Sequence, residues 1–443
     1  MSKILHRTLN STLPVLSSGR GVWVSDNKGN SYLDASAGGV AVTCLGHGND
    51  RVIAAIARQL NEVSYFHTSF FTSDVAEELA ASLVAEAPGD LSQVVFSCGG
   101  SEAVEAALKL ARQYWVEKGE PGRSEVISRH QSYHGGTLGT LAVGGNIPRR
   151  ETYSPLLFGA HFISPCYQYR LAEEGETEEE YGVRAAAELE EKILELGPER
   201  VAMFICEPVV GATLGCVPAS KGYLKEVRRI CDAYGVILIF DEVMCGAGRT
   251  GTYFSCEYDG VYPDIMAIAK GLGGGFQAIG ATLVSAKIAD AIQNGTGLLK
   301  HGFTYMGHNS SCAAALEVFR IIHQDDLLSN VKARGYQLRS ELERVFANHP
   351  HVGDVRGRGL FIGLELVADR KTKECFSSTL KVNGNLKKRA FDNGLLIYPN
   401  GGTVDGSKGD HVVFSPAYTV SEEEISQIVE RFSYSLDQVF HSI

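Results

Sequence analysis

The chain has 443 residues, 44% of them hydrophobic and 21% charged, and a formal net charge of −11. That length buries a large core and suggests two to three domains, or one large domain with an appendage. The acidic balance argues against nucleic acid, whose usual footprint is a basic patch, and against a membrane partner, since no apolar run approaches the ~20 residues that cross a bilayer.

Residues 1–20 carry Lys3, Arg7 and Arg20 with several Ser and Thr and no acid, but no continuous apolar stretch, and they read as an ordinary N-terminal arm. Residues 21–34 read as a hairpin: Val22-Trp23-Val24, a turn over Asp26 to Asn30, then Tyr32-Leu33. The recurrence of Val, Ile, Ala and Leu at helical spacing predicts amphipathic helices over 50–62 and 74–87. From 94 to about 320, short apolar runs alternate with helical stretches: Val94 to Phe96, Val126-Ile127, Met203 to Ile205, Val236 to Phe240, Ile265 to Ile268 and Ala281 to Val284. Such alternation points to an α/β fold with a mainly parallel sheet covered by helices.

The acidic run 173–180 reads as a solvated loop leading into a helix. A long helix over 309–347 is expected to break near Asp325-Asp326. Beyond it, Gly353 to Leu366, Leu395 to Tyr398 and His411 to Phe414 read as strands and Ser421 to Leu436 as a closing helix. With the N-terminal arm, this part suits a second, smaller α+β domain. The expected division is 1–62 for the arm and part of the small domain, 63–330 for the large domain and 331–443 for the rest of the small one. The ten cysteines show no CxxC spacing and read as small buried residues of a reducing compartment, the cytoplasm.

Chemistry concentrates at strand exits. Lys270 follows the apolar run Ile265 to Ala269, and Asp241 ends Val236 to Phe240. A charge at the exit of a buried strand must be paired or shifted in pKa. A desolvated lysine becomes an amine nucleophile able to form a Schiff base. An aspartate nearby can hold a heterocyclic nitrogen protonated, and the two together suggest pyridoxal phosphate. Taken alone, the pair reads rather as a structural ion pair capping two strands, and the rest of the chain reverses that. Phe96 to Glu102 follows a strand and opens a helix whose stripe is Ala103, Ala106, Ala107, Leu110, Ala111 and Tyr114. Gly100 and Ser101 therefore sit where backbone N–H groups and a helix dipole favour a phosphate. Tyr133, in Ser132-Tyr133-His134-Gly135-Gly136, offers a ring for stacking on a flat heteroaromatic. Glu207 closes the strand Met203 to Cys206, and in an open parallel sheet such ends face the ligand crevice. The thirteen histidines form no HExxH, no metal site is expected, and there is no GxSxG elbow.

Across nearly the whole chain these motifs resemble the class III (ω-amino acid) aminotransferases of the fold type I pyridoxal phosphate enzymes. The segments that carry the likeness are Gly100 to Ala103, Ser132 to Gly136, Asp241-Glu242-Val243, Gly248 to Gly251, Pro263 to Ile265, Ala269 to Gly275 and His301 to His308. The resemblance implies a homodimer, or a tetramer, with active sites at the subunit interface. Lys270 would bind the cofactor covalently, Asp241 would face the pyridinium nitrogen, and Tyr133 and Val243 would take the two ring faces. Gly100 and Ser101 would hold the phosphate with Thr304 of the neighbouring subunit. Glu207 would support the aspartate side, and Arg249 would be structural.

Relatives that use 2-oxoglutarate carry a glutamine that holds the ring hydroxyl where this chain has Met244, and a paired arginine and glutamate where it has Val413 and Ala212. Loss of both members of that carboxylate clamp shifts the expected acceptor to pyruvate, in a ping-pong exchange with an ω- or β-amino acid or amine. Gly99 stands where a serine is common. Tyr65, Phe66, Phe303 and Tyr418 are candidates to line a substrate pocket, and Lys408 is a candidate carboxylate anchor. The same lysine and aspartate also serve class III decarboxylases, aminomutases, racemases and amine-eliminating lyases, so the core motifs leave those reactions open. A catalytically silent dimer kept for binding is the alternative outside enzymology.

Overall fold

A computed structural model describes residues 3–441. Its centre is a seven-stranded sheet. In spatial order the strands are Leu91–Ser97, Gly280–Ser285, Ile265–Ile268, Ile237–Asp241, Val201–Cys206, Glu125–Arg129 and His161–Ile163. Only Gly280–Ser285 runs against its neighbours; the last five strands pair in parallel. The central strands, buried on both faces, read as unbroken apolar runs, as parallel sheets do. The fold is therefore the mixed α/β architecture expected. The helix Gly100–Glu117 buries Ala103, Ala106, Ala107, Leu110 and Ala111 on the sheet, with Tyr114 half-buried at the rim. The small side chains let the helix lie close, and Thr282 Oγ1 donates to the Ala103 carbonyl at 2.7 Å.

Two smaller sheets join distant parts of the chain. The hairpin strands Trp23–Asp26 and Ser31–Asp34 form as expected, and Leu16–Arg20 adds a further antiparallel strand. That strand lies within the N-terminal arm, for which no strand was expected. It is polar and exposed, an edge held by backbone pairing without an apolar face to announce it. Leu395–Leu396 pairs in parallel with Ser31–Asp34, so the N- and C-terminal segments share one sheet. The stretch 395–398 read as one strand thus divides: Tyr398–Gly401 leaves to pair with Asp410–Phe414 in a second, antiparallel sheet. Gly353 to Leu366 likewise divides into Val352–Arg358 and Phe361–Leu366, which turn back on each other.

The helical stretch 309–347 breaks where expected, into Asn309–Gln324 and Leu327–Val345, with Asp326 left-handed at φ 47°. Part of the acidic run forms the first turn of Glu178–Leu196. Thr177 and Glu180 close a capping box there, and the acids favour the positive end of the helix dipole. Eight of the ten cysteines are buried and none is paired. No helix among the described residues is long and apolar enough to cross a membrane.

Gly335, on the buried face of Leu327–Val345, lies against the backbone of the turn at Gly359, and a Cβ there would overlap the Gly359 carbonyl. Alanine ordinarily stabilises a helix interior by ~0.5–1 kcal/mol relative to glycine. Overpacking against backbone, which cannot rotate away, costs about 1–3 kcal/mol. Gly335→Ala is therefore expected to be net destabilising and to lower the urea-unfolding midpoint. A midpoint at or above wild type would mean that helix and turn separate freely.

Candidate active site

Parallel pairing places the C-terminal ends of the strands along one edge of the sheet, and a cavity opens there. Gly100, Ser101, Tyr133, Glu207, Asp241, Val243 and Lys270 all border it. Its accessible interior is about 320 Å³, within the range of small-molecule sites.

Gly99 stands extended just before the helix Gly100–Glu117, whose first residues, Gly100 and Ser101, border the cavity. A Cβ on Gly100 would lie 2.5 Å from Val243 Cγ1, so only glycine lets these two walls approach. The Ser101 hydroxyl accepts the Gly136 amide at 3.0 Å, and Glu102 caps the turn by accepting the Cys98 amide at 2.7 Å. Together these form a preorganised anion cradle.

Asp241 is buried, and both oxygens are held. Oδ1 accepts the Val243 amide at 3.0 Å, and Oδ2 lies 2.8 Å from His134 Nδ1. Glu207 accepts the Tyr133 amide at 3.0 Å and the Gly211 amide at 3.2 Å. Burial pushes the Glu207 carboxyl above the usual range, while His134 acts the other way. Lys270 occupies the left-handed region at φ 47°, a costly backbone for a side-chain-bearing residue and one that clusters at functional sites. Burial holds its amine below the ordinary lysine pKa, against the pull of Asp241 and Glu207. Among the described residues, no carboxylate pairs with that amine within 4.0 Å. The cavity thus brings together an anion cradle, a carboxylate fixed for a ring nitrogen, an aromatic wall and an unpaired amine.

The sequence model of the class III aminotransferases matches residues 5–436. The chain belongs to that family. Class III aminotransferases use pyridoxal phosphate, and the cradle, carboxylate and amine of this member fit its phosphate, ring nitrogen and aldehyde. An uncharacterized aminotransferase of Schizosaccharomyces pombe is 44% identical over 434 residues, covering 98% of this chain and 94% of its own. The putrescine–pyruvate aminotransferase of Pseudomonas aeruginosa is 36% identical over 427 residues (96% and 90% covered). The diaminobutyrate–2-oxoglutarate transaminase of Halomonas elongata is 35% identical over 431 residues (96% and 90% covered). The ω-transaminase of Pseudomonas jessenii, solved with PMP, superposes with a TM-score of 0.91 at 35% identity, over 97% of this chain and 94% of that one. The fold is accordingly that of the fold type I transaminases.

Within this class III aminotransferase, other expected site residues lie elsewhere. Thr304 is exposed away from the cavity, its carbonyl accepting the Tyr65 hydroxyl at 2.7 Å. Phe66 borders a separate surface groove with Phe71 and Met306, and Phe303 packs its ring on His301. Tyr418, expected in a substrate pocket, does not border the cavity. It is fully buried, its hydroxyl donating to the Ala247 carbonyl at 2.9 Å and its ring lying under the Arg249 guanidinium at 4.6 Å. Lys408 is not on the cavity wall either: Asp405 fixes its backbone in an exposed turn. Arg249 is buried and donates to the carbonyls of Leu360 and Pro416, which suits a structural role. Ala212, Met244 and Val413 meet in one apolar cluster with Phe361 beside the cavity.

His134 and Arg149 are among the cavity residues that carried no expectation. His134 stood inside the Ser132–Gly136 motif, yet its partner Asp241 is 107 positions away and no spacing rule connects them. Arg149, from a short helical turn, also borders the cavity.

Because Asp241 is the largest of the charges that raise the Lys270 pKa, removing it should lower that pKa further. In cofactor-free protein, cyanate carbamylation of Lys270, followed by peptide mass mapping, is expected to have a midpoint below that of exposed lysines. The midpoint should fall again in Asp241→Asn; one that stays or rises would remove Asp241 from the electrostatics of the amine.

Proposed function

We propose that the cavity is the active site of a pyridoxal-phosphate-dependent aminotransferase of the ω type. It would move an amino group from an ω- or β-amino acid or an amine to a keto acid, pyruvate in preference, by a ping-pong mechanism. The observation that carries this reading is the half-buried, unpaired amine of Lys270 in the same cavity as the doubly held carboxylate of Asp241.

When bound, the cofactor supplies a protonated heteroaromatic ring that withdraws charge from the substrate carbon. Gly100 and Ser101 hold the phosphate end. Asp241, oriented by His134 and the Val243 amide, keeps the ring nitrogen protonated. Tyr133 and Val243 would take the two ring faces, and Glu207 fixes the backbone of Tyr133. Lys270 would bind the cofactor covalently in the resting enzyme, and its amine, when free, would take a proton from the donor carbon and return one, as base and then acid.

Thr304 would reach the phosphate of a second copy, making the working unit a homodimer or a tetramer built of two such dimers. The exposed rings of Phe66, Phe70, Phe71 and Tyr305 support that reading, since so much apolar surface in one region suits an interface. Residues 63–330 would form the cofactor domain, with 1–62 and 331–443 as the small one. The unpaired cysteines suit the cytoplasm.

The pyruvate preference rests on the cluster of Ala212, Met244 and Val413. An apolar wall offers nothing to the second carboxylate of 2-oxoglutarate, and burying that charge without a partner is costly.

Lys270→Ala is expected to abolish transamination with every donor while the fold persists; turnover at the wild-type rate would exclude the lysine from the chemistry. With one good donor, kcat/KM for pyruvate should exceed that for 2-oxoglutarate at least tenfold. The reverse order would overturn the argument from the apolar cluster.

A further inference from the structure

Arg149 is the unexplained charge of the cavity. It lies in the short turn Ile147–Arg150, whose position is fixed by Asn146: its side-chain amide donates to Gln131 Oε1 at 3.1 Å. Gln131 in turn donates to the Gly402 carbonyl at 2.5 Å, tying this turn to the loop that precedes the last strand. The Arg149 guanidinium stands over the Tyr133 ring at 4.4 Å and is half-buried on the cavity wall. Among the described residues, no carboxylate lies within 4.0 Å of it. Its neighbour Arg150 points elsewhere, over Phe162 at 4.5 Å. Of the other charges on the wall, Asp241 and Glu207 are engaged by backbone amides and His134, and Lys270 is the reacting amine. Arg7, from the exposed terminal arm, is the remaining one.

Resting on the transaminase reading of the cavity, we propose that Arg149 is the specificity-determining residue of this site. In that role it holds the carboxylate of an ω-amino acid donor while the donor's amine reacts at the Lys270 end.

A planar guanidinium pairs with a carboxylate through two parallel hydrogen bonds, and such a pair is stronger in a partly desolvated cleft than at an open surface. Held 4.4 Å over the Tyr133 ring, the guanidinium is kept on the cavity wall by a cation–π contact that leaves its hydrogen-bonding capacity for a ligand. The anchor expected at Lys408 is thus supplied instead by the turn after Tyr133. The substrate class narrows accordingly, from amines in general to amines that carry an acid group at the far end.

The test pairs 4-aminobutyrate with propylamine, which lacks only the carboxylate, in single-turnover reactions of the holoenzyme without a keto acid. Arg149→Gln should raise the half-saturating concentration of 4-aminobutyrate at least tenfold and that of propylamine less than twofold. Arg149→Lys, which keeps a charge but loses the fork, should fall between wild type and Arg149→Gln for 4-aminobutyrate. Calorimetric titration with butyrate, which has no amine to react, should show binding weakened at least tenfold in Arg149→Gln. Equal loss for both amines would make Arg149 a mere cover for Tyr133 and overturn the proposal, as would unchanged binding of butyrate. Because butyrate undergoes no transfer, its result is independent of the transaminase reading, which the wild-type reaction with donors and keto acids tests separately.

Discussion

The site depends on a single constraint: parallel strand pairing puts successive strand exits on the same edge of the sheet. Antiparallel strands would have sent Asp241 and Lys270 to opposite ends of the molecule. Here Ile237–Asp241 lies beside Ile265–Ile268 in parallel register, with Asp241 opposite Ala267. The aspartate and the lysine three residues beyond that register therefore emerge together. Glu207 arrives by the same rule from the adjacent strand, and Tyr133 from the next.

Desolvation then does the chemical work. The edge is roofed by segments from both ends of the chain: Val40 and Val42 from the N-terminal side and Tyr398 from the C-terminal side share the cavity wall. Removing water depresses the Lys270 amine and raises the Glu207 carboxyl. It also makes every remaining polar contact count for more, since the local dielectric is low. Backbone amides hold Asp241 and Glu207 ready, with little reorganisation left to do when a ligand enters. The same dry walls explain how the apolar cluster of Ala212, Met244 and Val413 shapes acceptor choice: an apolar surface discriminates by what it leaves unpaired.

Much of this was readable along the chain. Each residue of the cradle and of the Lys270–Asp241 pair ends or follows a buried run, a local pattern that composition and periodicity reveal. The break at Asp325-Asp326 was legible for the same reason, because two short acids interrupt a helical repeat. The pairing of His134 with Asp241 was not, since it joins residues from two strand exits. Neither was the separation of Leu395–Leu396 from Tyr398–Gly401 into different sheets. Both pieces are short and apolar, and the partner that claims each lies far away in sequence. Tyr418 looked like a pocket residue because an aromatic in a loop carries no mark of burial. Only the packing of Arg249 over its ring shows that it belongs to the interior.

The sequence by itself determined the family, the α/β class and the residues at the strand exits, because these follow from local runs of side chains and from motifs that keep their order. Tertiary structure alone decided which charges face the cavity and which do not. Lys408 and Arg149 are both basic residues in short segments between the longer elements, and their residue type alone does not tell them apart. The difference arises because Asn146 and Gln131 turn one segment inward against Tyr133, while Asp405 holds the other in an exposed turn. The Asp405 contact is local, but the bonds that place Arg149 span 15 positions from Asn146 to Gln131 and 271 from Gln131 to Gly402, which no local sequence signal encodes.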